Sequence, residues 1–165
     1  MLISFLIRFL NLDQFNCRHL TTGEIKLAQS VFANLIDYQK VKIINQRYLP
    51  WQSQHVFMAP QGNIHIAKLH FKLDYAQESI AYQAVFIHEM THILQYQKNM
   101  NVLLIGAVLQ ILRFLSFGLY NPYTYILSKE QCFFDYNIEQ QGDIAKDIFL
   151  KKIPNIILSD QRIKS

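Results

Sequence analysis

The sequence predicts an α+β fold: a small twisted sheet, a long helix carrying a candidate metal motif, and a helical C-terminal part. Three observations predict it. Thr21 and Glu24 have the spacing of a helix capping box, a Pro-Gln-Gly-Asn turn signal separates two short strand-like runs, and SIAYQAVFIHEMTHILQYQ runs from Ser79 without Gly or Pro.

Taken in order, Ile25, Ala28, Val31, Phe32, Leu35 and Ile36 recur on one helical face, which predicts a helix over 22–37. Val41 and Ile43 then alternate with lysines as in a strand, and VFMAPQGNIHIA reads as a hairpin. The next helix starts with Ser79 as its N-cap. Residues 102–119, VLLIGAVLQILRFLSFGL, are the most apolar block. Arg113 in its middle would cost about 2.5–3.5 kcal/mol on membrane insertion, and Gly106 weakens the helix. The block is therefore expected to be buried or to lie on a lipid surface, not to span a bilayer. After an Asn-Pro-Tyr turn, FFDYNIEQQGDIAKDIFL resumes a helical pattern.

Composition narrows the function classes. With 51% hydrophobic and 17% charged residues the chain is far from the balance of disordered sequences, and its length suits one domain over residues 1–165. No repeat or Pro/Gly/Ser-rich linker divides it. The net charge of +4 comes from scattered basic residues, so no nucleic-acid footprint follows. Cys17 and Cys132 belong to no CxxC or Cys/His cluster and are expected to be buried thiols. The N-terminal run MLISFLIRFL is interrupted by Arg8 and followed by no small-residue cleavage site. No cleavable signal peptide is expected, which leaves a cytoplasmic location or export by a signal-independent route.

The chemistry concentrates in His88-Glu89-Met90-Thr91-His92. Histidines four apart on a helix stack their imidazoles on one face, within reach of one zinc ion. Glu89, about 100° round the helix from His88, can reach a water at the metal without ligating the metal, as a general base must. The apolar flanks Val85, Phe86, Ile87, Ile93 and Leu94 would bury the helix and dry the site.

Catalytic zinc takes three protein ligands and keeps a position for water. No HxxGxxH continuation follows the motif, so the third ligand is an acidic residue or another histidine. Glu139 is the leading candidate, because Asp143 four residues on could accept the free ring N–H of a ligand histidine. Asp135, Glu139, Asp143 and Asp147 recur every four residues, an unfavourable stripe on a helix unless a cation lies nearby. Glu130, Asp135, His19, His55, His65 and His70 stay open as alternative ligands. His55, His65, Tyr120, Tyr123, Tyr125 and Tyr136 are candidates to stabilise an oxyanion. The run Asn63–Ala67 is a candidate sheet edge for an extended peptide.

At these residues the chain resembles the gluzincins, zincins that combine HExxH with a downstream glutamate. LTTGEIKLAQSVFANLIDYQKVKI, MAPQGNIHI, FIHEMTHILQYQ and DYNIEQQGDIAKD also resemble small bacterial proteins described as Vgr-related or Rhs-associated and linked to type VI secretion. The likeness covers most of residues 20–150, and FIHEMTH and YNIEQQ are its specific parts. It implies a bacterial zincin-like metallopeptidase domain, an exported effector or an accessory to one, with a Vgr or Rhs partner. His88, His92 and Glu139 would hold Zn2+, Glu89 would be the catalytic base, and the substrate would be a peptide, a protein or a cell-wall peptide. The chain departs from a compact gluzincin in the long, apolar segment between motif and third ligand. The alternative reading is an inactive zincin-fold adaptor for secretion with structural zinc.

Overall fold

The computed structural model describes residues 15–160. The N-terminal apolar run and the expectation attached to it lie outside the described residues. Among the described residues the strands and α-helices follow in the order β1 (Cys17–His19), α1 (Thr22–Phe32), β2 (Lys42–Ile44), β3 (Ile64–His65), α2 (Ile80–Gln97), α3 (Val102–Leu115) and α4 (Ile138–Phe149). The architecture is α+β, as the sequence predicts. The sheet has the order β1-β2-β3, with β1 antiparallel to β2 and β2 parallel to β3, so that Ile43 lies opposite both Arg18 and Ile64. Ile43, Ile64 and Ile66 join Phe32, Phe86, Met90 and Ile144 in the main core. The most extensive helix pairing is α2 on α4.

The capping box forms: Thr21 Oγ1 accepts from the Glu24 N–H, and Glu24 Oε2 accepts from the Thr21 N–H. Helix α1 stops at Phe32, five residues before the sequence pattern ends, because Ala33 takes a φ of 48°. Tyr38 Oη donates to the Ala33 carbonyl, and Leu35 and Ile36 reach the core from outside the helix. Apolar periodicity therefore outlasts the helix: the residues still face inward after the backbone has turned.

The hairpin reduces to a single bridge in which Met58 and His65 exchange N–H···O=C bonds of 3.1 and 2.8 Å, with Gly62 at φ 79° in the turn. That bridge covers the outer side of β3 at His65, so the edge expected to be open around Asn63–Ala67 is already occupied there. Ser79 takes the N-cap position of α2, but its side chain makes no capping bond.

Helix α3 overturns the first of the two expectations for residues 102–119, burial in the core. Only Val102 and Leu109 are buried; with Ile138 they form a separate small cluster, while Leu104, Ile111, Phe114 and Leu115 are exposed. Gly106 faces α4, where an added Cβ would lie in ordinary contact, 3.7 Å from Ile138 Cδ1. No helix among the described residues is long and apolar enough to cross a membrane. Cys17 and Cys132 are both exposed, against the expectation of buried thiols.

Candidate metal centre

Helix α2 presents His88 and His92 one turn apart, their ring centroids 5.0 Å from each other. Helix α4 presents Glu139 in its first turn and Asp143 one turn further on. The start of α4 is fixed by Asn137, whose Oδ1 accepts from the N–H groups of Glu139 and Gln140 while Gln140 Oε1 accepts from the Asn137 N–H. Glu139 Oε2 lies 3.5 Å from His88 Nε2 and 3.8 Å from His92 Nε2. One ligand atom from each of the three residues falls within a 4.8 Å group. Bonds of about 2.0–2.2 Å in a tetrahedral site put ligand atoms about 3.4 Å apart, so these separations fit a single ion after small adjustments.

Both imidazoles are oriented from behind. His88 Nδ1 lies 3.2 Å from Asp143 Oδ1, and Lys146 Nζ holds that same oxygen at 2.6 Å. His92 Nδ1 lies 2.8 Å from Gln95 Oε1. The Gln95 amide has no freedom to turn over. Its Nε2 donates to the Ile138 carbonyl at 3.0 Å and to Gln141 Oε1 at 2.9 Å, while Gln141 Nε2 donates to the Tyr136 carbonyl. Gln95 Oε1 must therefore accept, which places the proton of neutral His92 on Nδ1 and the lone pair on Nε2, facing Glu139.

Gly142 makes this packing possible. A Cβ there would stand 2.5–2.7 Å from Cε1, Nδ1 and Nε2 of His88. The His88 ring occupies the space that any other residue of α4 would fill.

Glu89 is buried, and its Oε2 has no hydrogen-bond partner among the described residues. Burial raises its pKa to about 7, with Glu139 adding to the rise and His88 opposing it. For His88, burial disfavours the proton, but Asp143, Glu139 and Glu89 outweigh it and raise the pKa to about 9. Burial holds His92 below the usual histidine value. Burial pushes Glu139 and Asp143 upward, yet the hydrogen bonds from His88 prevail and both are lowered. In a buried pocket with three carboxyl groups and two imidazoles, the carboxylates favour the protonated form of His88.

The other candidates are engaged elsewhere. Glu130 is exposed, and Asp135 precedes α4 and accepts from the Cys132 N–H. Asp147 takes Tyr125 Oη at 2.6 Å and Lys152, so the acidic stripe splits and only Glu139 and Asp143 face the histidines. His19 is exposed on β1, His65 Nδ1 meets the Gln46 carbonyl, and His55 pairs with His70, which also meets Tyr82 Oη. Among the four tyrosines, Tyr123 tilts against His88 at 6.4 Å between centroids, with Gln110 Nε2 donating to its Oη. Tyr136 Oη sits between the Ser128 N–H and the Ile126 carbonyl.

Sequence reasoning missed Gln95 and Gly142. The available signal was a polar Gln three residues after His92 in an otherwise apolar stretch, and a Gly inside the helical ExxxD spacing.

Two imidazoles and a carboxylate converging from two helices, beside a buried carboxylate, define an α+β protein with a candidate mononuclear metal centre. No family model matches the chain. It is 46% identical over 136 residues to the type VI secretion system spike protein VgrG2b of Pseudomonas aeruginosa, a match taking in 82% of this chain and 13% of that protein. The solved effector domain of Pseudomonas aeruginosa VgrG2b matches with a TM-score of 0.75 and 43% identity, over 86% of this chain and 78% of that one. The chain belongs to the family of this type VI secretion effector domain, and it spans 13% of the full spike protein.

Proposed function

We propose that the chain is a zinc-dependent hydrolase of amide bonds with a zincin-like site of the gluzincin type, acting on a peptide, a protein or a cell-wall peptide. The observation that carries the reading is the Glu89 carboxylate, buried beside three convergent ligand atoms with Oε2 unpartnered among the described residues. A buried carboxylate oxygen left without a partner costs about 1–3 kcal/mol or more, and a purely structural metal site has no use for it.

His88, His92 and Glu139 would hold the ion, and two imidazoles with one carboxylate suit zinc better than the oxygen-seeking calcium or magnesium. Zinc, when bound, supplies a Lewis acid that lowers the pKa of a water and polarises a carbonyl. Glu89 Oε2 accepts a proton from the attacking water and hands it to the leaving nitrogen. Asp143 and Gln95 keep the Nε2 lone pairs of the two histidines aimed at the centre. The likeness to a spike protein supports delivery by a type VI machine, with a Vgr or Rhs protein as carrier.

The test is zinc content measured alongside turnover of an unfolded protein and of a cell-wall peptide, with toxicity in a target periplasm as the cellular readout. Glu89→Gln is expected to keep its zinc and lose nearly all hydrolysis. A variant equal to wild type in every assay would make the zinc structural and the chain an interaction module.

A further inference from the structure

The segment between the two halves of the metal site has its own surface chemistry. Helix α3 runs Val102–Leu115, and the turn after it lifts Phe117 and Leu119 almost wholly into solvent, at 96% and 93% exposure. Phe114 and Leu115 at the end of the helix are exposed at 81% and 65%, and Ile126 in the segment that follows at 85%. Side chains this exposed form a convex tip and not a groove. Burying one such side chain is worth about 1.5–3 kcal/mol, so the tip is a large unused source of binding energy.

Two further features identify the occupant. From Lys98 through Lys129 the sequence contains no Asp or Glu, although the chain has 12 acidic residues; Lys98, Arg113 and Lys129 are the charged groups of this stretch, and the next acidic residue is Glu130, directly after it. The turn also satisfies its own backbone donors. The N–H groups of Ser116, Phe117, Gly118 and Leu119 donate to the carbonyls of Leu112, Phe114, Arg113 and Ser116, each at 3.0 Å, and the Tyr120 N–H donates to Ser116 Oγ. Phe117 at φ 52° and Gly118 at φ 82° make that closure possible. A backbone without open donors can leave water cheaply, which is the requirement for entering lipid and no requirement for a wet protein interface.

We propose that this tip docks on an anionic lipid surface, with Phe117 and Leu119 inserted among the acyl chains and Lys129 at the headgroups. A helix of 14 residues is about 21 Å long, short of a hydrocarbon core of about 30 Å, so the element lies in the interface and does not cross it. Tyr123, against His88, is held by Gln110 of the same helix, so docking sets the metal centre close to the membrane surface. The inference stands whether or not the centre is hydrolytic.

The experiment is co-sedimentation of the full chain with phosphatidylcholine vesicles made with and without phosphatidylglycerol. Binding to the anionic vesicles is expected, weaker in high salt, and lowered by about tenfold or more in the double variant Phe117→Asp, Leu119→Asp. Lys129→Glu is expected to weaken binding to the anionic vesicles alone. Zinc content and the circular dichroism melting curve of each variant are read alongside, and both should match wild type because all three side chains are exposed. No binding to anionic vesicles, equal binding to neutral ones, or a folded double variant that binds like wild type would overturn the proposal. So would a wild-type dimer in sedimentation velocity that the double variant converts to monomer, since the tip would then be a self-interface.

Discussion

The ring of His88 lies in the place of a side chain at Gly142: a Cβ on that glycine would stand 2.5 Å from His88 Cε1. Gly142→Ala must therefore push the imidazole out of line or force α2 and α4 apart. Overpacking of this kind costs about 1–3 kcal/mol, and rotation of the His88 ring is a cheaper relief than separating two packed helices. The expected outcome is a fall in zinc affinity of about 10–100-fold with a smaller loss of thermal stability, measured by competition with a chelator and by a melting curve. A variant that keeps full affinity would show that the ring adapts without cost.

Gln95 joins three groups that each need it. Gln95→Leu strands the His92 N–H, the Ile138 carbonyl and Gln141 Oε1 in the interior. A loss of about 1–3 kcal/mol in denaturant unfolding is expected, together with weaker zinc binding. Gln95→Glu should be no rescue, because a carboxylate would face two acceptors where the amide donated.

Removing the proposed third ligand and removing the support of His88 should differ in degree. Glu139→Gln is expected to abolish zinc binding, and Asp143→Asn to lower affinity by about 10–100-fold. Glu130→Gln and Asp135→Asn should change neither, and metal analysis of the four purified variants checks all of this.

The pH dependence follows from His88. In the metal-free chain its pKa is raised from 6.5 to about 9, so the stability contributed by its pairing with Asp143 and Glu139 is full below about pH 6.5 and fades as the pH rises through 9. Zinc would need His88 Nε2 unprotonated, so its affinity is expected to run the other way and climb about tenfold per pH unit between pH 7 and 9. His92, lowered by burial, is already neutral and adds nothing to that slope. Titration calorimetry at pH 7 in buffers of different ionisation enthalpy should detect release of about one proton from His88 on zinc binding, with a fractional contribution from Glu89.

Away from the centre, Glu24 ties three segments together. It takes both arms of Arg18 at 2.7 and 2.8 Å, the Tyr75 N–H at 2.8 Å and the Thr21 N–H at 2.9 Å, and it is fully buried. Glu24→Ala leaves the Arg18 guanidinium with main-chain carbonyls but no carboxylate, and should cost about 3–5 kcal/mol in urea unfolding, with zinc stoichiometry unchanged in the folded fraction.

Local features were legible in the sequence. Histidines four apart, ExxxD spacing and a Thr/Glu capping box each depend on one helical period, and the structure brings His88, His92 and Glu139 into one group. Features that depend on docking were not legible. Ala33 ends α1 early through a backbone angle, the hairpin shrinks to the Met58–His65 bridge, and α3 leaves most of its apolar surface exposed. Hydropathy reports what a residue would gain by burial and is silent on whether any partner surface remains. Gln95 and Gly142 acquire meaning only when α4 lies against α2.

The Gln95 bridge also dictates when the site can exist. The tautomer of His92 is set through an amide locked by a main-chain carbonyl at the head of α4, which lies some forty residues further along the chain. A nascent chain that has made only the HExxH helix holds His92 in no fixed tautomer and has no third ligand. On the proposed function, ion capture would follow docking of the C-terminal helix, and truncation before Asn137 should yield a chain that leaves zinc in solution.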